Sequence, residues 1–175
     1  MVTAVVPTRA HSSPDRIPTA DAIRDALREV ADPEIPNVSI VDLGMIGAID
    51  IVDDRVDVEL LPTFVGCPAL QVIRSSIEER LAMFGRTVEV AVSFSTPWTT
   101  DRITESGREA LRRSGFAPPA VSRGGRELPM LDAPVACPHC GSLRTSLDNA
   151  FGPTLCRSIR HCADCRQPFE AFKPL

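Results

Sequence analysis

The chain of 175 residues contains no tyrosine, one tryptophan, three histidines and a single lysine, Lys173, among its 19 basic residues. Each scarcity removes a class of chemistry. His11 lies in the N-terminal stretch, while His139 and His161 stand beside cysteines near the other end, so no histidine is left to act as a general base elsewhere. Hydrolase mechanisms built on Ser–His or Cys–His pairs therefore lack a partner. No apolar run approaches the length needed to span a bilayer, and the first residues, Met1 to Pro14, lack the basic region and apolar core of a secretory signal. Basic surface is scarce too. A net charge of -4 argues against a general nucleic-acid binder, which needs cations to displace counterions. No membrane partner and no nucleic-acid partner are expected, and the expected setting is the cytoplasm, where thiols stay reduced.

Cysteine, by contrast, is well represented and patterned. Cys137-Pro-His-Cys140 and Cys162-Ala-Asp-Cys165 are two C-x2-C pairs separated by 21 residues, 141–161. Two such knuckles can present four thiolates to one ion, and Zn2+ accepts a tetrahedron of sulfurs at about 2.3 Å. Zinc in this four-cysteine site is the expected cofactor. A redox-active iron site and a pair of disulfides are the alternatives, the latter disfavoured by a reducing compartment.

With 43% hydrophobic residues the chain can bury one core of about 100 residues and carry a small second module. Residues 1–16 read as a disordered tail rich in Pro and Ser. A helix capped by Thr19 then carries Ile23, Leu27 and Val30 on one stripe and stops at Asp32-Pro33. The segment Asp32 to Gly44, with two prolines, reads as an ordered loop with at most a short extended piece. Met45–Val52 and Arg55–Leu61 form a hairpin around Asp53-Asp54, with Val56, Val58 and Leu60 on its buried face. Leu70, Ile73, Ile77, Leu81 and Phe84 mark a long amphipathic helix that ends at Gly85 and takes Pro68 in its first turn. A third strand, 87–94, should point Val88, Val90, Val92 and Phe94 inward, and a last helix covers about 103–114. The fold class is therefore α+β: an α-β-β-α-β-α domain with a three-stranded sheet over 17–117, a linker over 118–133, and a four-cysteine zinc-ribbon-like module over 134–175.

Cys67 is the second chemical feature. It falls where the loop Thr63-Phe-Val-Gly-Cys67 enters the long helix, a position at which the helix dipole lowers a thiol's pKa and favours metal binding or exchange. A buried, inert thiol is the alternative. Cys156, inside the ribbon segment, is a packing residue, an auxiliary ligand or a reactive neighbour. Asp32, Glu34 and Asp42 cluster around the proline loop, either as a solvated turn or as auxiliary acids for a hard cation. Trp98 is either core or a docking residue.

Several of these segments together resemble a known family. Asp32-Pro-Glu-Ile-Pro36, Ser39-Ile-Val-Asp-Leu-Gly44 and Thr63-Phe-Val-Gly-Cys67-Pro68 are similar to the SufT-type iron-sulfur assembly domain. Pro97-Trp98-Thr-Thr-Asp101, the two cysteine pairs, Phe151-Gly-Pro-Thr-Leu-Cys156 and Pro168-Phe-Glu-Ala-Phe-Lys173 resemble the PaaD subunits of bacterial phenylacetyl-CoA epoxidase. The resemblance implies an accessory, non-catalytic component of phenylacetate degradation. Its expected role is maturation of the oxygenase or its NADPH-dependent reductase with iron or an iron-sulfur cluster held transiently at Cys67. A scaffold or coupling protein that docks those components and a rubredoxin-like electron carrier are the alternatives. Expected partners are the other epoxidase subunits and, through Cys67, a second copy of the chain in a homodimer.

Overall fold

The structure, a computed structural model, describes residues 17–119 and 133–173. The expected 1–16 tail and most of the 118–133 linker lie outside the described residues.

Helix α1 (Ala20–Leu27) starts where expected, the Thr19 side chain accepting from the Ala22 N–H at 3.2 Å. Its buried stripe is Ile23, Ala26 and Leu27. Two short antiparallel strands follow, β1 (Ala31–Asp32) and β2 (Ile35–Ser39), so the proline loop is a small hairpin rather than irregular chain. Asp32 makes it possible: its Oδ1 accepts the N–H groups of Glu34 and Ile35, closing the turn across Pro33.

The main sheet has the order β3 (Ile46–Val52), β4 (Arg55–Leu60), β5 (Thr87–Val92). The first pair is an antiparallel hairpin, with Asp53 at φ 51° in the turn. The second pair is parallel, which requires a crossover, and helix α2 (Leu70–Leu81) provides it. Ile73, Ile77 and Leu81 of α2 are buried with Val56, Val58 and Leu60 of β4, as the two periodicities predict. A 3₁₀ turn, Ala82–Phe84, ends on Gly85 at φ 65°, a left-handed stop that favours glycine.

Strand β5 departs from expectation. Val90 is buried, yet Val92 and Phe94 are 40% and 56% exposed. The strand sits at a sheet edge and ends at Val92, so Val92 closes an edge strand and Phe94 lies beyond it.

Helix α3 (Glu105–Arg113) is capped by the Thr104 hydroxyl, which accepts from the Gly107 N–H at 3.0 Å. It packs against β2, and Gly107 permits the approach: a Cβ there would lie 2.4 Å from the Asp42 carbonyl oxygen. Immediately after it, β6 (Phe116–Ala117) pairs with the last strand of the chain. The resulting four-stranded sheet runs β6, β9 (Pro168–Phe172), β8 (Arg157–Cys162), β7 (Thr145–Asn149). One strand of the ribbon's sheet thus belongs to the upstream domain. Cys156 and Phe172 from the ribbon are, correspondingly, members of the upstream core.

Candidate functional site

Each C-x2-C pair sits in a tight knuckle with the same backbone pattern. Gly141 N–H donates to the Cys137 carbonyl and Cys137 N–H to the Ser142 carbonyl; Arg166 N–H donates to Cys162 and Cys162 N–H to Gln167. The residue after each second cysteine takes a left-handed conformation, Gly141 at φ 77° and Arg166 at φ 59°. Asp164 ties the knuckles together by accepting from Ser142 and from Arg144 at 2.7 Å.

The knuckles bring Cys137, Cys140, Cys162 and Cys165 together with all four sulfurs within 4.8 Å of one another. Cys137 and Cys165 are 3.7 Å apart, and Cys140 and Cys162 are 3.6 Å apart. These spacings are too long for disulfides, which need about 2.05 Å. A tetrahedron with metal–sulfur bonds of about 2.3 Å has edges of about 3.8 Å, so the donor set fits one thiophilic ion. The electrostatics agree. N–H groups of Cys165 and Asp164 outweigh desolvation and draw the Cys162 thiol down to about 6. Cys165 has the Gln167 N–H in its favour but is pushed up to about 12 by desolvation and the sulfurs of Cys140, Cys162 and Cys137. Four thiols this close cannot all ionise without a cation among them. The four-cysteine cluster has the geometry to hold one metal ion, and neither His139 nor His161 belongs to it.

The ribbon is fastened to the proline hairpin by an arginine that no sequence motif marks. Arg157, 5% exposed, donates to Glu34 at 3.1 Å and to Glu170 at 2.9 Å, and its guanidinium lies 4.8 Å from the centre of the Phe116 ring. Although burial opposes it, the two carboxylates hold its pKa above the ordinary value. The signal that could have found it is an arginine directly after Cys156 in a strand with few exposed positions.

Cys67 packs against the same core cluster that takes in Cys156. Its N–H donates to the Phe64 carbonyl at 3.2 Å, and helix α2 begins only at Leu70, so Pro68 is outside the helix. The expected lowering of its pKa is not found. Burial raises it against the Ala69 N–H, and Glu34, Cys156 and Asp32 add negative charge that raises it further. The dipole of the helix is outweighed because the thiol packs against the core in acidic company. Cys156 is buried, 3.2 Å from the Thr154 hydroxyl.

The acidic residues divide by role. Asp32 is the buried turn-former described above, and burial raises its pKa. Glu34 is the Arg157 partner. Asp42 lies elsewhere, accepting from Ser39, Thr104, Ser106 and Arg28 around the start of α3. The three do not converge on one cation. Trp98 is also corrected as a docking residue: it is 7% exposed, packs in the main core, and its indole N–H donates to the Leu43 carbonyl at 2.9 Å.

Comparison with known proteins follows this division of the chain. Residues 20–94 match the family model described as iron-sulfur cluster assembly protein, and residues 122–173 match the PaaD zinc beta ribbon domain. A protein of Escherichia coli (strain K12), provisionally named as the D component of 1,2-phenylacetyl-CoA epoxidase, is 37% identical over 157 residues, covering 89% of this chain and 93% of that one. Among solved structures, a DUF59 domain of unknown function from Bacillus anthracis is 26% identical with a TM-score of 0.49, covering 52% of this chain and 89% of that one. A conserved hypothetical protein from Thermotoga maritima is 32% identical with a TM-score of 0.46, covering 53% and 93%. An assembly-type domain with a half-buried cysteine, fused through its last strand to a four-cysteine ribbon, places the chain in the PaaD family of phenylacetyl-CoA epoxidase components.

Proposed function

We propose that this chain is an accessory subunit of a phenylacetyl-CoA epoxidase system, working in the cytoplasm with the oxygenase and reductase subunits. Its role is to assist insertion of iron or an iron-sulfur cluster into one of them. The observation that carries this reading is the position of Cys67. It lies within the segment that matches the assembly family, half-buried against the core that Cys156 of the ribbon also enters. Burial raises its pKa, so an ion held there must displace a proton from the thiol.

The ion of the ribbon is zinc in this reading, held by Cys137, Cys140, Cys162 and Cys165. A saturated thiolate tetrahedron supplies folding free energy and offers no open coordination position for chemistry. Purified protein should therefore be colourless and contain one zinc per chain. A visible thiolate-to-iron absorption would favour the rubredoxin-like alternative.

The test of the maturation role is Cys67→Ser in a host that co-expresses the oxygenase and reductase. Fold and zinc content should persist while the iron or cluster content of those components falls. Unchanged content with full epoxidation overturns it. The exposed apolar side chains Val65 and Phe151 favour a second reading, in which the chain docks its partners without handling metal. In that case Cys67→Ser is silent, and removal of residues 134–175 abolishes complex formation in size-exclusion chromatography.

A further inference from the structure

The main sheet has two edges, and they are finished differently. At the β3 edge the ladder is interrupted by a register shift between Ile46 and Ile49, and charged side chains occupy the backbone groups there. Arg24 donates to the Gly47 carbonyl at 3.0 Å and to the Ile46 carbonyl at 3.5 Å, while Glu59 accepts the Ala48 N–H at 3.0 Å. A bulge and covering charges are ordinary protections of an edge strand against further pairing.

Strand β5 carries none of these devices. Its pairing with β4 is continuous from Thr87 to Val92, without a bulge, and the sequence Thr-Val-Glu-Val-Ala-Val holds neither proline nor lysine. The ladder to β4 uses the odd-numbered residues: Thr87 N–H donates to the Asp54 carbonyl and Ser93 N–H to the Leu60 carbonyl, which brackets Glu89 and Ala91. In a parallel pair, alternate residues bond to one neighbour, so Val88, Val90 and Val92 turn their N–H and C=O groups to the open edge. No other described strand pairs there. On the same residues Val90 is buried but Val92 is exposed, as is Phe94 just beyond the strand. An unprotected row of backbone groups ending in uncovered apolar side chains is a template for another strand.

The strand that fits best is β5 itself. Set antiparallel to a second copy about a two-fold axis at Val90, it pairs Val90 with Val90 and Val88 with Val92, each residue of a pair exchanging both hydrogen bonds. Glu89, the one charge of the strand, then stands opposite Ala91. An axis at Glu89 would set like charges face to face, and one at Ala91 would set Val88 opposite Phe94, outside the strand. We propose that β5 is a dimerisation edge, through which two copies of this chain join their three-stranded sheets into one continuous sheet. This face differs from Cys67, through which the sequence reading places a homodimer, and it stands whether or not the maturation reading holds. A single strand pair is a small interface, so monomer and dimer should exchange with a Kd of roughly micromolar order.

The test uses full-length protein with its metal bound and its thiols reduced. Light scattering after size-exclusion chromatography should give twice the chain mass of 19.0 kDa at about 100 μM and fall toward the single chain on dilution. Val92→Lys places a charge on an exposed position, and two such lysines enter one symmetric interface, so Kd should rise at least about tenfold. Urea unfolding of that variant should match the parent at concentrations where both are monomeric. The unsubstituted protein gives an independent reading by amide hydrogen exchange. Val88, Val90 and Val92 should be protected when concentrated and exchange freely on dilution, whereas Thr87, Glu89 and Ala91, bonded to β4, should be protected in both conditions. A single-chain mass that persists to about 500 μM overturns the proposal, as does a dimer that Val92→Lys leaves intact. So does exchange at the three valines that ignores concentration. Protection of those valines that appears only when oxygenase or reductase subunits are added also overturns the second copy, and assigns the edge to a partner's strand.

Discussion

Arg157→Ala tests how the two modules are joined. The guanidinium is almost wholly buried, while its partners Glu34 and Glu170 keep side-chain exposures of 26% and 29%. Removing one member of a buried ion pair costs about 3–5 kcal/mol when the orphaned charge stays dry. Here both carboxylates can regain water, which moves the expectation to the lower end of that range. Loss of the cation over Phe116 adds about 0.5–1 kcal/mol. Against this, the Arg157 Nε is buried without a hydrogen-bond partner, and its removal recovers about 1 kcal/mol. The net loss is about 3 kcal/mol, or roughly 6–12 °C in Tm for a chain of this size. The assay is urea unfolding at fixed zinc and reductant, because free metal changes apparent stability by mass action. A charge-free triple variant, Arg157→Met with Glu34→Gln and Glu170→Gln, should recover most of the loss, since well-packed apolar substitutes commonly match a buried ion network. A loss below about 0.5 kcal/mol for Arg157→Ala, the range of ordinary surface changes, refutes the clamp.

Three further outcomes follow from the packing and the electrostatics. Gly107→Ala should destabilise by about 1–3 kcal/mol in thermal or urea unfolding, although alanine is the better helix former, because the new methyl meets the Asp42 carbonyl. Asp42 is held below the usual carboxylate range: burial opposes ionisation, but hydrogen bonds from Ser106, Thr104 and Ser39 and the charge of Arg28 prevail. Its folded pKa lies below the unfolded value near about 3.9, so its contribution is complete above that pH and is lost as pH falls through the folded pKa. The stability gap between the parent and Asp42→Asn should be flat from pH 5 to 8, at about 2 kcal/mol, and should narrow in acid. Stripping the metal, or Cys162→Ser, should abolish amide protection in β7, β8 and β9 while α1 and α2 remain folded; protection that persists without metal refutes a metal-dependent ribbon.

The sequence exposes those parts of the fold whose side chains repeat with the period of one element. Ile73, Ile77 and Leu81 declare α2, and Val56, Val58 and Leu60 declare β4, because each face is buried against a continuous neighbour. Val92 and Phe94 continue the same alternation yet are exposed, since alternation says nothing about how far along an edge strand the covering helices extend. The β1–β2 hairpin is hidden for a different reason: two prolines suggest irregular chain, and the side-chain cap from Asp32 that makes the turn is local chemistry without a period. The four metal cysteines are legible because their ligation lies in short spacings. The company of Cys67 is not, because Glu34 comes from a separate hairpin and Cys156 from the other module. Burial in that company also reversed the sign of its pKa shift.

Cys156 and Phe172 give the fusion a practical consequence. They fill part of a core that otherwise belongs to residues upstream of the ribbon. A chain cut after α3 would keep every helix of the first domain but bare an apolar socket that the ribbon now plugs. Such a fragment should self-associate at concentrations where the whole chain is monodisperse. The two units are thus interchangeable parts only on paper: moving the ribbon to another assembly domain would require re-cutting that socket as well as rejoining the backbone.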